Sequence, residues 1–468
     1  MKVLMLGWEY PPHISGGLGT ACQGLTTALA GLGVDIEFVV PRLFGGEFAP
    51  HMHLIDPWSV EDGKGGKASR RGVRIRGIPS MLLPYLTTHQ FDELIKLFRM
   101  ARKKGKLGWD ELKKYLTEHR EQLSQLFPGA VLDMLVHGDW DRASFDHYGG
   151  DLFGEVARFT KGVVALAEKL DFDIVHAHDW MTYPAGVAVA NFAGVPLVTH
   201  VHSLEWDRSG DNVNGHIAHL ESTGLHAATT VIAVSRHTRA IAAKQYNVPA
   251  EKIEVVYNGV NWSDQQQSAS RDFDKDTKVV LFLGRVTFQK GPDYFVEAAA
   301  KVIPHVPNVK FVLAGSGDML PRLVSRVFEL GLEANFEFPG FLKGKDVERM
   351  YQRADLYVMP SVSEPFGLSA LEAMRNDVPT IISKQSGVGE IIRHTIKVDF
   401  WDVEELSNVI INALKYRELR EDLVVAGRHD ALRARWEPSA QRTLHIYLDA
   451  IKKAIPMSIP GEEQGAYV

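Results

Sequence analysis

The sequence predicts an α/β protein built from two parallel-sheet domains, and three observations predict it. The chain has 468 residues, more than one hydrophobic core serves, since single cores stop growing near about 250–300 residues. Short β-branched runs alternate with longer helical patterns, as in βαβ units whose sheets are covered on both faces. That alternation comes in two series, separated by a polar stretch without periodicity.

The first series contains KVLML, DIEFVV, DIVHAH, PLVTHVH and TTVIAVS, and the second KVVLFLG, KFVLAG, NFEFPG, LYVMPS and PTIIS. Between them, in VVYNGVNWSDQQQSASRDFDKD, Asn, Gly, Ser, Gln and Asp break the pattern, which is linker chemistry. The expected organisation is an amino-terminal domain over 1–257, a linker over 258–276 and a carboxy-terminal domain over 277–435. Within the first domain, Thr87 to His147 is charged and helical in pattern and reads as a helical insertion. In 436–468, WEPSAQRTLHIYLDAIKKAI has apolar residues at helical spacing after a proline. A terminal helix that packs back on the first domain is expected there, followed by a frayed tail.

Composition excludes some classes of function. The chain is 45% hydrophobic and 24% charged with a net charge of -6, so nothing suggests a nucleic-acid partner. A single cysteine, Cys22, rules out an internal disulfide and fits a reducing, cytoplasmic setting. The opening MKVLMLGWEYPP is too short in its apolar run for a signal peptide, and AGVAVANFAGVPLV is broken by Asn191 and Pro196. No membrane segment is expected, and a homo-oligomer is compatible with this composition.

The residues that carry chemistry lie at predicted strand ends. After the first strand, PPHISGGLG places Gly16 and Gly17 at a strand-to-helix turn, where backbone amides and the helix dipole favour an anion. It is not a dinucleotide fingerprint: Gly17-Leu18-Gly19-Thr20-Ala21-Cys22 lacks the third small position, and no acid stands at the expected ribose position. In the second series, Arg285 and Lys290 follow a strand on one loop, a fork and a point charge suited to neighbouring phosphates. Gly315 and Gly317 mark another strand end, leaving room for a ligand or making a turn. In SVSEPFGLSALEAM, Glu364 lies on a loop and Glu372 about one turn into a helix opened by Gly367. The amides of Gly367 and Leu368 lie between the two acids, which are good acceptors for paired sugar hydroxyls.

Taken together, GRVTFQKG, GSGD, ADLYVMPSVSEPFGLSALEAM, SGVGEII, HAHDW and SGGLG resemble the retaining GT-B glycosyltransferases. More narrowly, they resemble the group that contains glycogen and starch synthases, sucrose synthases and family 4 transferases. The resemblance spans both halves in order, apart from the helical insertion. It implies the GT-B fold, two Rossmann-like domains facing across a cleft. It implies a nucleotide-sugar donor such as ADP-glucose or UDP-glucose, a carbohydrate acceptor of the α-glucan kind, and no cofactor or obligatory metal. Carried onto this sequence, it implies that Arg285 and Lys290 hold the donor diphosphate, Glu364 contacts the transferred sugar, Glu372 binds the ribose and His178 sits beside the donor sugar. Gly16, Gly17, Gly315, Gly317, Phe366, Gly367 and Leu368 complete the implied donor site. The insertion is then either a solvated helical pair or a lid or acceptor-binding surface. Ile14 stands where bacterial ADP-glucose glycogen synthases carry Lys, and Met181 where they carry His, so the donor base stays open, as does another acceptor such as a small sugar, a sugar phosphate or a lipid.

Rival readings rest on other residues. The histidines of HAHD and HVHS, close to Asp179, suit a divalent metal and a metallohydrolase. Glu364 and Glu372 suit a carboxylate-pair hydrolase, and the same site without catalysis would be a sugar-nucleotide binder. The Asp-x-Asp pairs at Asp139, Asp171 and Asp272 read as solvated turns.

Overall fold

The computed structural model describes residues 1–12, 16–43, 46–57, 152–261 and 276–454, together with the single positions 114, 117 and 118. Most of the expected linker, almost all of the expected helical insertion, the Asp139 and Asp272 pairs, Ile14 and the tail beyond 454 lie outside the described residues.

Among the described residues, two parallel sheets form the frame of the molecule. The first has seven strands: β1 (Lys2–Leu6), β2 (Asp35–Val39), β3 (His53–Ile55), β4 (Ile174–His178), β5 (Leu197–Val201), β6 (Thr230–Ala233) and β7 (Ile253–Val255), in the spatial order β3-β2-β1-β4-β5-β6-β7. The second has six: β8 (Lys278–Leu283), β9 (Val309–Ala314), β10 (Phe336–Gly340), β11 (Leu356–Met359), β12 (Thr380–Ser383) and β13 (Ile396–Val398), in the order β10-β9-β8-β11-β12-β13. The central strands are buried along their length, as in IVHAH of β4 and LYVM of β11, because helices cover both faces. These are two Rossmann-like domains. The apolar clusters follow suit, with one core around the first sheet and two around the faces of the second.

The strand order positions a site before any side chain is considered. In each sheet the chain builds outward in one direction, then returns and builds in the other, between β1 and β4 and again between β8 and β11. Helices leave in opposite directions at such a reversal, so a crevice opens beyond the carboxyl ends of those strands.

The helix Trp436–Ala454 packs on the amino-terminal sheet and shares its core through Trp436, Ile446, Tyr447 and Ala450. Gly24 makes that contact close, for a Cβ there would lie 2.1 Å from Trp436 Cε2. The chain crosses between domains near Val260 and again near Ala434, and the two crossings are bonded, Val260 N donating to Ala434 O at 2.8 Å.

Candidate active site

Both crevices open onto one cleft of about 710 Å³ whose walls come from both domains. On the amino-terminal wall, β1 leads through Pro11 and Pro12 to Gly16 and the helix Gly17–Gly31, whose start has no side-chain cap among the described residues. Gly19 N donates to Glu9 Oε1 at 3.0 Å. The amides of Gly17 and Leu18 precede the first helical carbonyl they could reach, and both residues line the cleft. Among the described residues, a Cβ on Gly16 would meet nothing within 4 Å, and one on Gly17 only Leu368 Cδ1 at 3.7 Å. The protein itself therefore leaves room for side chains here, and the space they would take belongs to the cleft.

The same wall continues with Asp179, His202 and Ser203 beyond β4 and β5. Asp179 sits at φ 60°, and its Oδ1 accepts from the amides of His202 at 2.7 Å and Ser203 at 3.3 Å. Burial pushes its carboxyl up to about 7 against the pull of those amides and of Arg208. Behind His202 stand His178, His200 and His176, three rings with 0–1% exposure. His178 Nδ1 and His202 Nε2 are 2.9 Å apart, and His176 Nδ1 meets Tyr447 OH at 2.5 Å. Burial holds His176 and His202 down to about 3, and His178 and His200 well below the usual imidazole range.

On the carboxy-terminal wall, Gly284 and Arg285 come directly after β8, and a short turn Phe288–Lys290 follows. Arg285 Nη2 donates to Gln289 Oε1 at 2.9 Å. Gly315, at φ +147°, lets the end of β9 approach β8, since a Cβ would lie 1.8 Å from Gly284 O. After β11 the loop bearing Glu364 is fixed by Glu364 N to Gln385 O and Gly387 N to Glu364 O, each 2.9 Å. The helix Leu368–Arg375 then starts at Gly367, at φ 109°, with no side-chain cap. Lys290 Nζ lies 2.5 Å from Glu364 Oε2, and Ser361 Oγ donates to the same oxygen at 3.0 Å. Glu372 Oε2 accepts from Tyr351 OH at 3.2 Å. Burial raises the Glu372 carboxyl above the ordinary range, opposed by Arg375 and by the Tyr351 hydroxyl.

Of the residues singled out in the sequence, Gly16, Gly17, Arg285, Lys290, Gly315, Glu364, Phe366, Gly367, Leu368 and Glu372 all line this cleft. His178 and Gly317 are not in its lining. His178 is wholly buried one ring behind His202, so the imidazole that reaches the cleft is His202. Gly317 packs on the Val286 backbone, where a Cβ would come 2.2 Å from Val286 O. Sequence reasoning named Asp179 only in the metal reading, and missed Ser203 and Asn258 on one wall and Lys343, Tyr351 and Arg375 on the other. Asp179 and Lys343 follow predicted strands, which is the signal that could have found them.

Among the described residues, two groups have ligand atoms within 4.8 Å of one another, Cys22 with His178 and His202, and His176 with His178 and His200. The four imidazoles stack, with centroids 4.3–5.3 Å apart and planes 7–29° from parallel. A metal ion lies near the plane of each ring that ligates it, so such side-by-side rings would have to turn to share one. Asp171 and Asp173 lie at the other end of β4, where Lys2 Nζ bonds Asp171 at 2.9 Å and Lys2 N bonds Asp173 at 2.7 Å. That pair anchors a strand start, away from the cleft.

Paired Rossmann-like domains around a cleft with basic and acidic walls define a GT-B-type fold, and comparison with solved structures agrees. Sucrose-phosphate synthase from Thermosynechococcus elongatus superimposes with a TM-score of 0.65 over 97% of this chain and 99% of its own, at 18% identity. Anabaena HepE, solved with UDP and glucose, gives 0.58 over 96% and 100%, at 17% identity. Residues 263–430 match the family described as Glycosyl transferases group 1, and 138–263 match Glycosyltransferase Family 4. An uncharacterized glycosyltransferase of Methanocaldococcus jannaschii is 26% identical over 97% of this chain and 99% of its own. A Mycobacterium tuberculosis glycogen synthase is 26% identical over 84% and 80%, and a D-inositol 3-phosphate glycosyltransferase of Mycobacterium sp. (strain JLS) is 30% identical over 61% and 69%. The chain belongs to the group 1 glycosyl transferases and is a glycosyltransferase.

Proposed function

We propose that this cleft moves a hexose, glucose in the first instance, from a nucleoside diphosphate sugar to a carbohydrate hydroxyl with retention at the anomeric carbon, and that the acceptor is an α-glucan. The observation that carries the reading is the Lys290–Glu364 ion pair beside the uncapped helix start at Gly367, with Arg285 on the neighbouring strand end. Cations and helix-end amides would take up the negative charge that develops on the departing diphosphate, the kind of contact that dominates transfer rates. Glu364 and Glu372, one on each side of those amides, would accept hydroxyls of the sugar and the ribose. Asp179, His202 and Ser203 would face the acceptor and the transferred ring. Cation and amide contacts make the reaction independent of an added divalent ion, and the volume of the cleft suits a ligand of nucleotide-sugar size.

Support for the donor class comes from HepE, whose structure holds UDP and glucose. Support for the acceptor comes from the glycogen synthase relative and from the motifs WEYPPHISGGLG and HAHDW. The D-inositol 3-phosphate relative, the more identical of the two over its matched length, favours a second reading in which the acceptor is a small sugar phosphate.

The test is a matrix of ADP-, UDP- and GDP-glucose, each with no acceptor, with a malto-oligosaccharide and with an inositol phosphate, reading released nucleotide and the anomeric configuration of the product. Acceptor-dependent release with an α-linked product supports the proposal. Free glucose formed equally without acceptor means hydrolysis instead, and loss of turnover on chelation that zinc restores means the histidine cluster is the working site.

A further inference from the structure

The loop that presents Glu364 belongs to the carboxy-terminal domain, yet part of what fixes it comes from the other domain. Ser235 Oγ donates to Pro365 O at 2.6 Å, and Thr238 Oγ1 reaches the same carbonyl at 3.3 Å. One residue before Glu364, Ser363 Oγ donates to Asp207 Oδ1 at 2.5 Å, while His237 Nε2 lies 3.0 Å from the same hydroxyl. Asp207 is 1% exposed, and its second oxygen accepts from Leu204 N at 2.8 Å, which locks its orientation.

The helix that carries Asp207, Glu205–Ser209, also touches the turn that carries Lys290. Its following residue, Gly210, at φ +57°, would place a Cβ 3.2 Å from the Phe288 ring. Both members of the Lys290–Glu364 pair are thus held against one short amino-terminal segment. A second tie backs this one: Glu390 accepts from the amides of Arg236 and His237 and from Tyr257 OH, each at 2.9 Å. That tie belongs to the Gly387–Glu390 turn, whose Gly387 N bonds Glu364 O, so it holds the domains together from behind the loop and does not pass through Ser363.

We infer that Asp207 and Ser363 are positioning residues which make the alignment of Glu364 conditional on domain closure. With the domains together, the buried Asp207 carboxylate holds Ser363 and with it the backbone that presents Glu364 to the cleft. With the domains apart, the Ser363 hydroxyl loses its Asp207 acceptor and the loop keeps its ties within its own domain, among them those to Gln385, Gly387, Val388 and Gln289. The carboxylate is then aimed only when both halves of the site are assembled, which confines chemistry to the closed, dry cleft. This rests on the reading of the cleft as the transfer site.

The experiment compares the wild-type chain with Ser363→Ala, Ser363→Thr and Asp207→Asn. It measures kcat, nucleoside diphosphate affinity by calorimetry, and hydrogen exchange of the 361–367 amides. In Ser363→Ala, kcat should fall about tenfold or more, as a small misplacement of a reacting group demands. Nucleoside diphosphate affinity should stay within about twofold, because the Arg285 and Lys290 cations and the Glu372 carboxylate proposed to hold it stand on other segments than Ser363. Ser363→Thr, which keeps the hydroxyl, should recover most of the loss, and Asp207→Asn should weaken kcat in the same direction. Loop amides should exchange faster in Ser363→Ala. Unchanged kcat in Ser363→Ala, affinity and kcat falling in proportion, or wild-type exchange in the loop each overturns the inference. Failure of the wild-type chain to transfer from any donor sinks the functional reading instead, and the exchange measurement still decides whether Asp207 and Ser363 hold the loop.

Discussion

Lys290 and Glu364, 74 positions apart in the chain, meet at 2.5 Å where the second sheet reverses direction. Their side chains are only 19% and 6% exposed. A cation so placed already has an acceptor before any ligand arrives. A bound diphosphate can draw Lys290 toward its own oxygens and leave Glu364 to accept a sugar hydroxyl, so donor binding and the readiness of Glu364 are two faces of one exchange of partners.

Removing either charge should therefore cost rate. Glu364→Gln, Lys290→Ala and Arg285→Ala are each expected to lower transfer by at least about a hundredfold, the scale of one lost transition-state charge contact. Steady-state kinetics with the preferred donor checks this, and rates close to wild type in any two of the three would refute the site.

Two glycines of the cleft should fail for opposite reasons. Gly16→Ala meets no atom of the described residues within 4 Å, so thermal stability should hold while donor affinity drops as the methyl enters ligand space. Gly315→Ala meets Gly284 O at 1.8 Å from a backbone at φ +147°, and should lose more than about 2 kcal/mol of stability whatever is bound. Melting curves with and without nucleotide separate the two, and a destabilised Gly16→Ala would remove the argument that its space belongs to the ligand.

The histidine stack sets an acid limit on the amino-terminal domain. A ring whose folded pKa is lowered keeps its full contribution above the unfolded value, 6.5, and loses it as pH falls, because the unfolded chain then binds the extra proton. His200, with neither ring nitrogen hydrogen-bonded among the described residues, is the cleanest case. His200→Leu should flatten the fall in unfolding free energy between pH 6.5 and about 5 by up to roughly 1.4 kcal/mol per pH unit. Urea titrations across that range test it, and an unchanged slope would mean that the ring is not held neutral by its burial.

Closure of the amino-terminal core by the last described helix is open to a single methyl. Gly24→Ala puts a Cβ 2.1 Å from Trp436 Cε2, an overlap expected to cost about 1–3 kcal/mol as the helix is pushed off. Tryptophan fluorescence during unfolding reports it, and wild-type stability would show that the helix yields freely.

Much of this was legible in the sequence, for reasons that can be traced. All ten apolar runs picked out by alternation became strands, because a strand buried on both faces must be apolar throughout. The strands not foreseen are β3, β7 and β13, three residues each and at sheet edges, too short to show any period. In the cleft, Arg285, Lys290, Glu364 and Glu372 could be read because each follows a strand within a compact motif. His202 could not be ranked above His178, since both sit on apolar strands at matching spacing, and only the sheet register, which pairs His178 with His200, carries His202 past the strand end into the cleft. The Asp207–Ser363 contact joins residues 156 apart and left no trace in local pattern.

The helix that completes the first core is translated only after the whole sheet of the second lobe. While the second lobe can finish its sheet as soon as β13 and the helices after it emerge, the first must wait with the flank of Gly24 and the His176 ring uncovered until Trp436 and Tyr447 arrive. In a nascent chain the half translated first is thus the half that matures last, and that interval is when it is most in need of a chaperone.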